Sequence, residues 1–346
     1  MGTYEPIFST LGLQSWCESG ETTANGPTSM ADLLAQNAGT DVPSPSVWEL
    51  PFPSMDELHE SCATFPQSRA LTKGIEEGFL SVKDGLSLVL DPITQPLSWF
   101  LEGALWLFET APWWIMIPVL LALTLAVSRS QKLVVFVGAC LLTLSFIDYY
   151  SFATQTLAVI FVCAILCVVL GVPIGIAMAR NDRLQRMIIP ILDMLQTLPA
   201  FVYLIPLIFL FSVTEPKLYG IAIILYAIVP VVRLTDLGIR LVDKDVIEAA
   251  DAFGMTGRQK LIKVQIPLAL PNIMAGVNQT IMMSLSMVVI ASLVSAPGLG
   301  VLVLRGIRNL ELGVGLVSGL SIVVLAVILD RTTKLALARI NAGQDR

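Results

Sequence analysis

What most narrows the folds open to this chain is a succession of long apolar segments, seven in number, near 113–127, 133–147, 155–179, 187–212, 218–232, 271–295 and 314–329. A helix needs about 20 residues to cross ~30 Å of hydrocarbon, and lipid offers no hydrogen-bond partner to an unpaired backbone group. Segments of this kind fold as transmembrane helices. They lack the apolar/polar alternation of membrane β-barrel strands. Composition agrees: 55% of the 346 residues are hydrophobic, 14% are charged, and mean hydropathy is +0.77, outside the range of a soluble domain. The expectation is an all-α membrane protein of about seven transmembrane helices.

Charge is divided unevenly. Residues 1–111 hold three basic residues (Arg69, Lys73, Lys83) against fifteen acidic ones and are near −12, whereas 112–346 are near +6. Basic residues favour the cytosolic side of a membrane. They cluster after the first, third, fifth and seventh segments: Arg129 and Lys132; Arg180, Arg183 and Arg186; six between Arg233 and Lys263; then Arg331, Lys334, Arg339 and Arg346. The intervening connections are poorer, with none in DYYSFAT, Lys217 in the next, and Arg305 and Arg308 in 296–313. The expected topology has the amino terminus extracytoplasmic and the carboxyl terminus cytosolic. The opening MGTYEPIFST has neither the basic start nor the apolar core of a secretory signal.

Two regions follow, an acidic extracytoplasmic tail over 1–111 and a transmembrane domain over 112–346. The first 65 residues are rich in Ser, Thr, Pro, Gly and acids and read as irregular. Near 97–108, Leu97, Phe100, Leu101, Ala104, Leu105 and Phe108 share one helical face, with Trp99, Trp106, Trp113 and Trp114 nearby. That pattern predicts an amphipathic helix on the membrane surface. An eighth span over 86–108 is disfavoured because Asp91, Pro92, Gln95, Pro96 and Glu102 would enter hydrocarbon unpaired. Of five cysteines, Cys17 and Cys62 lie in the tail and read as isolated thiols, with a disulfide between them as the lesser alternative, while Cys140, Cys163 and Cys167 fall in apolar runs.

There is no G-x-x-x-x-G-K-[S/T] phosphate loop, no H-E-x-x-H and no His/Cys cluster, His59 being the one histidine. No catalytic residue, metal site or bound cofactor is expected, and nothing suggests nucleic acid. The unusual segment is the polar loop 233–270, in the cytosol by the topology above. Within it, KDVIEAADAFGMTGRQKLIKVQIP carries Val246, Ala249, Ala250 and Phe253 at helical spacing, then Gly254, then a basic stretch ending at Pro267. The expected form is a short amphipathic helix, a break at Gly254 and a basic helix ending before Pro267. Gly254 would supply a backbone conformation or a close approach. The plainer reading is a surface helix resting on the bundle's own face.

The spacing Glu248-Ala249-Ala250, three residues, Gly254, nine residues, Val264-Gln265-Ile266-Pro267 resembles the EAA motif of ABC importer permeases, with Val264 and Ile266 as conservative departures. The segments PILDMLQTLPAFVYLIPLIFLF, AGVNQTIMMSLSMVVIAS, GLGVLVLRGI and VILDRTT resemble the membrane subunits of glycine betaine/proline betaine importers. The resemblance implies a type I ABC importer permease fold in a bacterial inner membrane, with Glu248, Ala249, Ala250 and Gly254 forming the contact with an ATPase. It also implies the partners: a second copy of the chain, two ATP-binding subunits that use ATP and Mg, an extracytoplasmic substrate-binding protein, and membrane lipid. The implied cargo is glycine betaine or a related quaternary amine such as proline betaine, choline, carnitine or trimethylamine N-oxide.

Polar residues inside spans face either a pathway or neighbouring helices. Gln196, Thr197, Tyr203, Asn278, Ser284 and Ser286 are the pathway candidates, and an uncharged path would let a zwitterion leave again. For any one of them, helix-to-helix bonding and packing is the commoner reason, as it is for Gly171-x-x-x-Gly175 and Gly315-x-x-x-Gly319. Pro199 and Pro206 in QTLPAFVYLIP would break the fourth helix beside that path. Two other classes compete: an ATP-independent secondary carrier of small zwitterions, for which Asp193 is the one carboxylate well inside a span, and a membrane scaffold or sensor.

Overall fold

In the computed structural model of the chain, residues 17, 53–62 and 64–344 are described, and their regular structure is helical. The helices are α1 (Met55–Ser61), α2 (Ser68–Thr110), α3 (Trp113–Ser128), α4 (Gln131–Phe146), α5 (Tyr150–Arg180), α6 (Asp182–Thr197), α7 (Leu204–Leu210), α8 (Pro216–Arg240), α9 (Lys244–Ala252), α10 (Gly257–Lys260), α11 (Ile266–Ala291), α12 (Leu299–Arg308) and α13 (Leu312–Gln344). The chain divides into two compact units, Met1–Gly85 and Leu86–Arg346, the division falling inside α2.

In the first unit, most of the stretch expected to be irregular lies outside the described residues. Within it α1 is helical, capped by the Ser54 hydroxyl accepting from the Glu57 N–H at 3.3 Å. The Asp56 carboxylate accepts from the Ser68 hydroxyl at 2.6 Å and the Ser68 N–H at 2.8 Å, tying α1 to the start of α2. Those two bonds, the hydroxyl's first, hold the Asp56 carboxyl below its ordinary range. The tie is therefore complete above that range and is lost as pH falls through the lowered value.

Cys17 and Cys62 form a disulfide, so the expectation of isolated thiols is corrected. The sequence could not supply this pairing because 45 residues separate the two, and spacing alone does not bring distant cysteines together. Closing a loop of that length removes about 4 kcal/mol of chain entropy from the unfolded state. In denaturant, a thiol-alkylating reagent is expected to label three cysteines before reduction and five after it, the count being read by mass. Labelling of all five without reductant would remove the bridge.

In the second unit α8 is the central helix. Leu218, Ala222, Ile223, Ala227, Val229 and Val231 are fully buried on it, packed between α5 and α11. Lipid tails are as apolar as leucine, so the helices gain little by hiding apolar surface from one another and depend on close approach. At Gly175 a Cβ would lie 2.6 Å from the Thr235 Cβ and 2.7 Å from the Val232 carbonyl oxygen, and at Gly171 one would lie 2.5 Å from Val231. The first small-residue pair is thus the α5–α8 seam, as its packing reading expects. In the second pair neither glycine has such a role itself: a Cβ at Gly315 would lie at an ordinary 3.6 Å from Gly306 of α12 and one at Gly319 would meet nothing, while the glycine that close approach requires is Gly306, where a Cβ would lie 2.5 Å from the Gly315 Cα.

Among the described residues four helices are long and apolar enough to cross a membrane: Tyr150–Arg180, Pro216–Arg240, Gly257–Val294 and Leu312–Arg339. Two bent pairs raise the number to six, and α4, at 16 residues, is a shorter apolar helix. The fourth expected segment is not one rod: α6 and the stretch Ala200–Leu210 meet at 106°. Its cause is local. The residue before a proline is pushed out of the helical region, and Leu198, with φ −68° and ψ 134°, sits extended before Pro199. Pro206 is accommodated in the first turn of α7, where a missing N–H costs nothing.

The helix expected at 97–108 runs much further, over all of α2, and its Leu97 and Leu101 join a buried cluster with Leu218, Tyr219, Ala222 and Leu285. Asp91 is not unpaired, because Lys217 Nζ lies 2.8 Å from its Oδ1. The objection to burying that carboxylate therefore falls. In the connection 296–313, α12 occupies most of the length, with Leu299 and Leu302 buried against α4, α5 and α13. The Leu299 N–H donates to the Thr156 hydroxyl at 2.9 Å, satisfying a free group at the start of α12.

Candidate coupling loop and intramembrane polar residues

The loop between α8 and α11 is built from strong local signals. Asp243 caps α9 by accepting from the Asp245 N–H at 3.0 Å, and Asp245 in the first turn suits the positive end of the helix dipole. The helix ends where Gly254 takes φ +72°, with the Met255 N–H returning to the Ala250 carbonyl at 3.1 Å and the Gly254 N–H to Asp251 at 2.9 Å. That left-handed turn is the usual glycine termination. A Cβ there would meet nothing within 4 Å, so backbone conformation, not close approach, is what requires glycine.

Thr256 and Gln259 then form a reciprocal capping box that starts α10. Lys260 Nζ lies 2.6 Å from Asp251 Oδ1, closing the helical hairpin. The basic helix does not stop before Pro267 as expected. It passes through a widened π turn, Leu261–Gln265, directly into α11, with Pro267 in the first turn. Proline has no N–H to return to the turn before it, and a widened turn absorbs that loss.

The apolar stripe of α9 faces outward. Ala250 is buried at 4%, but Val246 is 40% and Phe253 84% exposed, and Glu248 and Ala249 are also exposed. The loop is held to the bundle instead by Leu261, which packs with Ile239, Ala269 and Ile273. A surface helix resting on its own bundle would turn Phe253 inward. Val246 and Phe253 are therefore apolar side chains that the loop leaves exposed.

The intramembrane polar residues fall into two groups. Gln196 and Thr197 are exposed at the end of α6, the Thr197 hydroxyl donating to the Met194 carbonyl at 3.3 Å. Tyr203, just past the break, is buried, and its hydroxyl has no partner among the described residues. On α11, Asn278 bridges to α13, its amide donating to Asp330 at 3.3 Å and its oxygen accepting from the Thr333 hydroxyl. Ser284 is buried and donates to the Thr280 carbonyl at 2.9 Å; Ser286 is exposed and donates to the Met282 carbonyl at 3.2 Å. None of these bonds joins the α6–α7 group to the α11 group.

Ion pairs between helices escaped the sequence reading. Asp193 is paired with Arg233 of α8, which answers its charge from within the protein. Arg240 bonds to Asp236, Asp182 and the Met178 carbonyl. Lys217, 3% exposed, lies between Asp91 and Glu215 with the Phe211 ring 5.2 Å away. The Asp236–Arg240 pair, at i, i+4 within α8, carries a local signal; the pairs that join different helices carry none.

Crossing apolar helices, a broken span and a polar hairpin are the features of a polytopic membrane protein. Residues 171–341 match the family described as binding-protein-dependent transport system inner membrane component. The chain is 40% identical over 299 residues to the glycine betaine/proline betaine transport system permease protein ProW of Escherichia coli (strain K12), covering 85% of this chain and 80% of that one. It is 40% identical to the glycine betaine/carnitine transport permease protein GbuB of Listeria monocytogenes serotype 1/2a (strain 10403S), covering 75% and 89%. Against the glycine betaine transport system permease protein OpuAB of Bacillus subtilis (strain 168) the identity is 41%, covering 74% and 86%. The solved structure of the MetNI methionine ABC transporter in an inward-facing conformation shares the fold at a TM-score of 0.50 and 20% identity, covering 56% of this chain and 95% of that one. The chain belongs to the ABC importer permease family.

Proposed function

We propose that this permease imports glycine betaine or a related quaternary amine, as a homodimer with two ATP-binding subunits on the cytosolic side and a substrate-binding protein outside. The exposed Val246 and Phe253 face of α9 carries the reading of how it is driven, and the names of the relatives carry the reading of what it moves. Glu248, Ala249, Ala250 and Gly254 belong to the face that meets the ATPase, which alone binds ATP and Mg. Gln196, Thr197, Tyr203, Asn278, Ser284 and Ser286 supply a weakly polar path from which a zwitterion can leave.

The amino terminus lies outside. The distribution of basic residues supports this, and so does the disulfide, because such bonds persist in oxidising compartments. The tail's amphipathic portion near 97–108 then lies at the outer membrane surface, with Trp99 and Trp106 exposed to the interface.

The test is reconstitution in vesicles with the partner ATPase and binding protein. Glycine betaine should stimulate ATP hydrolysis and accumulate; uptake driven by an ion gradient without the ATPase would instead make the protein a secondary carrier. A Gly254→Val chain forces a branched side chain into a left-handed conformation at about 1–2 kcal/mol. It is expected to cut stimulated hydrolysis roughly tenfold, while Gly254→Asn, which tolerates that conformation, keeps most of it. Equal losses in both variants would mean that the absent side chain, not the turn, is what matters.

A further inference from the structure

Arg240 is the last residue of α8, three positions before the Asp243 cap of α9. Its guanidinium uses all three nitrogens. Nε donates to Asp236 Oδ1 at 2.9 Å, Nη1 to Asp182 Oδ1 at 2.7 Å, and Nη2 to the Met178 carbonyl at 2.7 Å. The other Asp236 oxygen accepts from Gln185 Nε2 at 2.7 Å. Met178 lies in the last turn of α5, and Asp182 and Gln185 in the first turns of α6. One side chain therefore grips both sides of the elbow at Asn181 from the end of the helix that leads into the loop.

Each contact suits its place. A cation at the end of α5 suits the negative end of that helix's dipole and gives the Met178 carbonyl a second donor beside the Asn181 N–H at 3.1 Å, and a carboxylate in the first turn of α6 suits the dipole there. The arm to Asp182 adds little as stabilising charge, because Asp182 is 75% exposed and pairs of that kind contribute at most about 1 kcal/mol, whereas Asp236 is buried and needs Arg240 and Gln185 as its partners. Its geometry is better suited to transmission. A planar guanidinium bonding in three directions resists rotation as well as translation. The 16 residues of α6 make a rod of about 24 Å, so turning it about 5° at the elbow moves its far end by about 2 Å. At that end stand Gln196, Thr197 and the 106° break.

We propose that Arg240 is a positioning residue that carries displacement of the α9 hairpin into the α5–α6 elbow and so to the broken span, coupling ATP hydrolysis to solute movement. This rests on the transport reading above. The experiment uses the full complex in vesicles with the ATPase and the binding protein, and reads glycine betaine imported per ATP hydrolysed, alongside basal hydrolysis, subunit retention and melting temperature. Arg240→Lys keeps the charge but loses the fork. It is expected to hold the ATPase and keep basal hydrolysis, while the import ratio falls at least fivefold. Asp182→Asn, at an exposed position, should fall by about half as much on a logarithmic scale, and the double variant no further than Arg240→Lys alone.

A wild-type ratio in Arg240→Lys overturns the proposal. So does loss of assembly in Arg240→Lys with a wild-type ratio in Asp182→Asn, which would make Arg240 a structural tie. If the unaltered complex shows no solute-stimulated hydrolysis, the transport reading itself fails, and the clamp falls with it.

Discussion

A Gly175→Val chain is expected not to accumulate as a folded protein. The added Cβ would sit 2.7 Å from the Val232 carbonyl oxygen and 2.6 Å from the Thr235 Cβ, closer than such atoms approach. A side-chain tip could rotate away, but a backbone oxygen inside a helix cannot, so α5 and α8 must separate. Separation loosens the neighbouring contact at Gly171 with Val231 and the cluster of Met178, Leu192, Val229 and Val232. Overpacking of this kind costs about 1–3 kcal/mol or more, and lipid provides no compensating drive to re-form the seam. The loss should exceed about 3 kcal/mol and be seen as absence of a monodisperse peak and of a melting transition in detergent. Gly319→Val is the control. It alters the corresponding glycine of the second small-residue pair, where a Cβ meets nothing within 4 Å, and should leave both measurements unchanged. Equal damage from the two would mean that residue identity, not close approach, governs the site.

The second large effect concerns binding. Phe253→Asp is expected to abolish retention of the ATPase subunit without unfolding the permease. At 84% exposure the ring contributes little to the chain's own packing, so the melting temperature should be unmoved. An aromatic anchor at the centre of an interface commonly supplies 2–4 kcal/mol, which corresponds to roughly 30- to 1,000-fold in affinity. Titrating purified permease with purified ATPase subunit measures it directly. An affinity within twofold of the unaltered protein would place the docking face away from α9.

Both expectations draw on features the sequence displays, to different depths. The apolar segments specified helices because nothing else satisfies backbone groups in lipid. The loop was legible in part: the basic helix ran on through Pro267 into α11, whereas the short helix and the break at Gly254 formed as expected because a glycine turn is a local signal. The break at Pro199 was visible for the same reason, being decided by one residue and its neighbour.

What escaped was non-local. Asp91 and Lys217 are 126 residues apart, Asp182 and Arg240 are 58 apart, and Cys17 and Cys62 are 45 apart; no periodicity carries such pairings. The polar candidates illustrate the same limit. Asn278 was marked by its place in an apolar span, but only the structure shows its amide bridging to Asp330 and Thr333. The two glycine pairs share one spacing, yet one is a tight seam and the other is not.

The sequence by itself therefore determined the helical membrane class, the positions of most spans, and the hairpin between α8 and α11, since each follows from the solvent a segment meets or from residues within a few positions. The tertiary structure alone decided which way the α9 stripe faces, which glycines are indispensable, and which charges join the helices. Those depend on the direction in which each side chain leaves its helix and on what the chain brings opposite it.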